Sequence, residues 1–168
     1  VHEAQRERGA SSLYLGAKGT KFRAELDAQR VRTDAARAAL DAGRVGLDRT
    51  TLGPGVARRD AALTEQLAAI APHRTAVDAL GRTPAQNMAL YSGVIANALD
   101  LVREVSQVAA SADLAARISS YSSFLALKEL AGQERASASA IFGAGQIDLA
   151  GHERLAGLSA GQSTYESL

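Results

Sequence analysis

The chain has no cysteine and no tryptophan, and only three prolines, three phenylalanines and four tyrosines in 168 residues. Without cysteine there is no disulfide scaffold, no thiol nucleophile and no thiolate metal site. Val and Ile together supply 14 residues against 36 alanines, which disfavours a sheet and favours closely packed helices. Charge of one sign is also lacking. The 19 basic residues face 18 acidic ones, for a net charge of +1, so no broad basic face for nucleic acid is expected. No apolar run reaches the roughly 18 residues that a membrane span needs. No signal peptide is visible. The chain opens on Val1 inside a helical pattern, so it reads as a fragment of a longer protein.

What is present is helical periodicity. Six stretches are predicted, at about 1–17, 21–42, 56–80, 84–110, 112–142 and 148–159. The second carries Phe22, Leu26, Gln29, Thr33, Ala36 and Leu40 on one stripe, with Arg23, Asp27, Arg30 and Asp34 on a face read as solvated. In the third, Leu63, Leu67, Ile70 and Val77 form the stripe, and Pro72 predicts a break near Ala71. Thr83-Pro84 is a cap followed by a first-turn proline. The fourth buries Met88, Tyr91, Ile95, Leu99 and Val102, and the fifth Leu114, Ile118, Tyr121, Phe124 and Leu125, with a split expected near Gly132. Residues 43–55, rich in glycine, read as a loop, and 160–168 as a frayed tail. The expected fold is all-α, an up-and-down antiparallel bundle of about six helices forming one domain over 1–168.

Two arginines fall on predicted apolar stripes. Arg8 lies in Val1, Gln5, Arg8, Ser12, Leu15, and Arg135 in Phe124, Lys128, Ala131, Arg135, Ala138, Phe142. Both stripes follow the alternating three- and four-residue spacing that faces a bundle core, where a charge is costly unless it is met. The surrounding sequences resemble each other at an offset of 127: Glu7-Arg8 with Glu134-Arg135, Ser12 with Ser139, Gly16-Ala17 with Gly143-Ala144. One reading pairs each arginine with a nearby carboxylate. Glu7 and Glu134, adjacent in sequence, point elsewhere on their helices, so local pairing is poor. The other reading is an anion site, in which two guanidinium forks share a small anion. Secondary candidates are Arg74, in register with Leu67, Ile70 and Val77, together with Tyr91 and Ser12. His2, His73 and His152 are scattered without metal-ligand spacing, so neither a metal nor any other cofactor is expected. No catalytic set is apparent, and the chain is not expected to be an enzyme.

The stretch His2-Glu3-Ala4-Gln5-Arg6-Glu7-Arg8-Gly9-Ala10-Ser11-Ser12-Leu13-Tyr14-Leu15 resembles the opening of the NIT family of bacterial nitrate- and nitrite-sensing domains. The similarity continues through Phe22, Gln29 and Thr33-Asp34, Arg74-x-x-Val77-Asp78, Tyr91-x-x-x-Ile95 and Lys128-Glu129-x-x-x-Gln133-Glu134-Arg135-Ala136, over about residues 1–145. The resemblance implies an all-helical input domain that binds nitrate or nitrite between its first and late helices, with Arg8 and Arg135 at the anion. It implies an output partner such as a histidine kinase or chemoreceptor, a homodimer, and an extracytoplasmic position in a membrane-anchored parent. A cytoplasmic arrangement fused to an RNA-binding antitermination domain also occurs in the family. The alternative is a helical dimerisation or scaffold module with internally paired arginines and no ligand.

Overall fold

The structure is a computed structural model that describes residues 1–47, 51–144 and 147–166, except for the side chains of 139–144 and 166. All regular structure among the described residues is helical: α1 (His2–Gly16), α2 (Arg23–Arg44), α3 (Gly53–Ala68), α4 (Ile70–Asp78), α5 (Pro84–Gln107), α6 (Ala112–Ala144) and α7 (Leu149–Glu166). The predicted third helix is two pieces. The break comes at Ala69, three residues ahead of Pro72, because proline lacks the N–H that an unbroken helix would use there. α6 runs through Gly132 without a split. α7 continues to Glu166, so residues 160–166 are helix and not a frayed tail; 167–168 lie outside the described residues. Of the predicted loop at 43–55, residues 43–44 finish α2 and 53–55 begin α3, while 48–50 lie outside the described residues.

Packing divides the chain into two compact units, 1–108 and 109–168. The first is a helical bundle in which α1 packs against α2 and α5, and α5 against α3 and α4. Its core is Tyr14, Leu15, Leu26, Val56, Leu63, Ile70, Val77, Tyr91, Val94, Ile95 and Leu99. The predicted stripes hold at their centres and fail at their ends. Leu26, Gln29 and Thr33 are buried, whereas Phe22, Ala36 and Leu40 are exposed. Phe22 takes a left-handed backbone conformation (φ 68°) as the residue that starts α2. α5 opens with a full capping box: Gln86 N donates to Thr83 Oγ1 at 3.1 Å, and Thr83 N donates to Gln86 Oε1 at 3.0 Å.

The second unit pairs α6 with α7. Its register corrects the predicted stripe. Ser122, Leu125, Ala126 and Glu129 are buried with Leu158, while Tyr121 and Phe124 are 58% and 59% exposed. Leu114, Ala131 and Arg135 are exposed too. The reason lies on α7: Gly161 has no side chain, and a Cβ there would come within 3.1 Å of Leu130 Cδ1, so α7 comes close to α6 at this point and α6 turns its 122–130 face toward it. Phe142, the last member of that stripe, has a side chain outside the described ones.

Candidate functional site

The sequence places Glu7 and Arg8 side by side on α1, about 100° apart around the helix. Both are buried, at 0% and 3% exposure. Glu7 is the residue that the stripe reading missed. Ala4, Glu7, Ser11 and Tyr14 form a three-four-three stripe as regular as the one through Arg8, and all four are buried.

A buried carboxylate is costly unless charge and hydrogen bonds meet it, and three helices converge on this one. Arg74 on α4 donates from Nε to Glu7 Oε1 at 2.7 Å and from Nη2 to Oε2 at 2.9 Å, a two-bond fork. The Tyr91 hydroxyl on α5 donates to Oε1 at 2.6 Å. Arg30 on α2 brings its Nε within 4.0 Å of Oε1. Burial pushes the Glu7 pKa up, but the hydrogen bonds from Arg74, Thr33 and Tyr91 and the charge of Arg74 outweigh it, leaving the carboxyl below its ordinary value of 4.5. Tyr91 is pushed well above the ordinary tyrosine range by burial and by the Glu7 charge. Burial lowers the Arg74 pKa, but Glu7 and Asp34 more than offset that and raise it overall.

The α2 face read as solvated therefore holds α4 in place. Arg74 Nη1 donates to Asp34 Oδ1 at 2.7 Å, and Arg30 Nη1 donates to Asp78 Oδ1 at 2.9 Å. Arg23 adds a bond to the same Asp78 oxygen at 2.9 Å.

Arg8 points toward α5, where its Nη1 donates to Ser92 Oγ at 2.8 Å. Asn87, also on α5, holds the neighbouring backbone. Its Nδ2 donates to the Arg8 carbonyl and to Ser12 Oγ, each at 3.0 Å. Asn87 Oδ1 in turn lies 2.9 Å from His73 Nε2, and the His73 ring meets Tyr91 edge to face at 5.7 Å between centroids. His73, and not Arg74, fills the core position between Ile70 and Val77. The result is a continuous polar seam of Asp34, Arg74, Glu7, Tyr91, His73, Asn87, Ser12, Arg8 and Ser92.

Within it two carboxylates, Glu7 and Asp34, meet Arg74, and the Ser92 hydroxyl accepts from Arg8. Of the sequence candidates, Arg8, Ser12, Arg74 and Tyr91 stand together in the first unit. Arg135 stands on α6 of the second, exposed instead of facing a core. A cavity of about 80 Å³ in the first unit is lined mainly by aliphatic groups such as Leu40, Leu63, Ile70 and Ile95. Arg8 does not line it; the cavity's polar lining comes from Glu3, Thr33 and Arg37. Among the described residues no group of three or more His, Asp or Glu side chains is placed to hold a metal ion.

An all-helical bundle with a buried, arginine-bearing polar seam has features that suit a ligand-sensing module. The family model for nitrate and nitrite sensing, NIT, matches residues 1–168, and the chain belongs to that family. It is a nitrate and nitrite sensing domain. Among solved structures, it is similar to the NasR transcription antiterminator at 26% identity and a TM-score of 0.84. That match covers 99% of this chain and 46% of the other, so the chain spans less than half the length of that protein. No match is found among the curated proteins.

Proposed function

We propose that Arg8 and Arg135 are the residues with which this domain holds nitrate or nitrite. The observation that carries the reading is the placement of Arg8: it is buried on α1, at 3% exposure, with its guanidinium held against α5 by a hydrogen bond to Ser92 Oγ. A guanidinium fork matches the planar oxygens of either anion, and charge-assisted hydrogen bonds contribute roughly 1.5–3 kcal/mol each. Arg135 carries its assignment from the family motif and its residue type. Arg74, Tyr91 and Ser12 support the site through Glu7 and Asn87.

The domain acts as the input part of a bacterial signalling protein and does no chemistry on the anion. We place it outside the cytoplasm in a membrane-anchored, homodimeric receptor with an attached output domain. The similarity to the NasR transcription antiterminator favours a second reading, in which the domain is attached to a regulator of transcription. Protease accessibility of the domain in spheroplasts of the native host separates the two. Among the described residues no helix is long and apolar enough to cross a membrane.

Thermal unfolding in about 10 mM sodium nitrate, nitrite or chloride tests the ligand. Binding to the native state adds RT ln(1 + [L]/Kd), about 2.7 kcal/mol at a hundredfold excess over Kd. A rise of several degrees with nitrate or nitrite and none with chloride is the expected result. Equal curves in all three salts contradict the reading.

A further inference from the structure

Glu7 has a place in the seam that goes beyond stabilising the bundle. Its carboxylate is the point where α2, α4 and α5 take hold of α1: Arg74 by a fork at 2.7 and 2.9 Å, Tyr91 at 2.6 Å, Arg30 at 4.0 Å. A helix gripped at one side chain from three directions cannot rotate about its axis or slide without breaking charged hydrogen bonds. Arg8 is the next residue. Wherever Glu7 is fixed, the Arg8 guanidinium is fixed about 100° around the helix, against Ser92. Asn87 repeats the constraint one step along, holding the Arg8 carbonyl and the Ser12 hydroxyl while His73 orients its amide. Asn87, His73 and Tyr91 are themselves buried, which leaves the seam little slack.

We infer that Glu7 is a positioning residue for the anion: clamped by Arg74 and Tyr91, it sets the rotation of α1 that presents the Arg8 guanidinium beside Ser92. Preorganised donors cost less to order at the moment of binding, and a displacement of even an ångström misaligns a two-bond fork. The inference rests on the assignment of Arg8 as an anion contact and deepens it. It names a carboxylate, a group that would repel nitrate at close range, as a requirement for nitrate affinity.

The test compares the unmodified domain with Glu7→Gln and Tyr91→Phe, well below their melting temperatures, by nitrate titration calorimetry. Sodium chloride at matched ionic strength is the blank. The Arg8 Nε–H resonance of the nitrate-free protein, identified by its loss in Arg8→Lys, is followed in parallel. Glu7→Gln is expected to raise the nitrate Kd about tenfold, within the range of ordinary coupling between sites, and to shift the Arg8 resonance. Tyr91→Phe removes one hydrogen bond and moves both in the same direction by less. Unchanged affinity in a folded Glu7→Gln overturns the inference. So does weaker binding with the Arg8 resonance unmoved, since the effect then does not pass through Arg8. Where Glu7→Gln fails to fold, Tyr91→Phe is judged by the same two criteria. No nitrate binding by the unmodified domain, in place of a changed Kd in the variants, overturns the Arg8 assignment and this inference with it.

Discussion

At the scale of single residues, the molecule turns on a buried carboxylate and the guanidinium beside it. Glu7 keeps its charge in the core because Arg74, Tyr91 and Arg30 surround it. Glu7→Gln removes that charge and leaves Arg74 with Asp34 as its remaining carboxylate. A hydrogen bond to a charged group contributes about 1.5–3 kcal/mol, so the variant is expected to lose about 2 kcal/mol. In a unit of this size that is roughly 10 °C of melting temperature by calorimetry. The pH dependence follows from the depressed pKa. The unfolded chain takes up a proton near 4.5, while the folded one resists until lower pH. Glu7 therefore contributes its full stabilisation above 4.5, and that contribution falls away as the pH drops through the folded value. Melting curves between about pH 5 and pH 3 should fall more steeply for the parent than for Glu7→Gln. Parallel slopes would show that other carboxylates carry the acid limb.

At the scale of helices, the two units differ in how well side-chain size reports burial. In the first, large apolar groups mark the core correctly: Leu26, Leu63, Ile70, Val77, Tyr91, Ile95 and Leu99 are all buried where the stripes place them. Helix positions were also readable, since Thr83-Pro84 and Pro72 are local signals that act within a turn of themselves. In the second unit the same rule fails. α6 presents a regular large-apolar face at Leu114, Tyr121 and Phe124, yet it packs on α7 through Ser122, Leu125, Ala126 and Glu129. Periodicity selects the face with the largest side chains, whereas the close approach at Gly161 on α7 selects a face that mixes Leu125 with Ser122, Ala126 and Glu129. The position of Arg135 was misread for this reason. Glu7 was missed for a related one: a carboxylate on a stripe looks solvated until its partners are known, and Arg74 and Tyr91 lie 67 and 84 residues away. Leu125→Ala should cost about 2–5 kcal/mol, as buried Leu truncations do, and Phe124→Ala less than about 1 kcal/mol. Denaturant melts followed by helical circular dichroism decide it, and the reverse order would refute the assigned register. Thr83→Ala removes one half of the α5 capping box and should cost about 1 kcal/mol in the same assay.

At the scale of the whole molecule, family membership fixes the role and the seam suggests its mechanism. The chain is a nitrate and nitrite sensing domain throughout its 168 residues. Its first unit holds an interior polar network within an otherwise aliphatic bundle, an arrangement that costs stability unless each group is met. A sensor gains from that cost. An anion that binds one arrangement of α1 better than another shifts the balance between them by its difference in affinity, and a helix held by hydrogen bonds has discrete arrangements to choose from. The most direct measurement is calorimetric titration of nitrate into the domain and into Arg8→Lys, Arg8→Ala and Arg135→Ala, each checked for retained helicity. Lysine keeps the charge of Arg8 but loses the planar fork. The account predicts saturable nitrate binding by the parent, weakened at least about tenfold in Arg8→Lys and Arg135→Ala and abolished in Arg8→Ala. Parent-like affinity in a folded Arg8→Ala would contradict it.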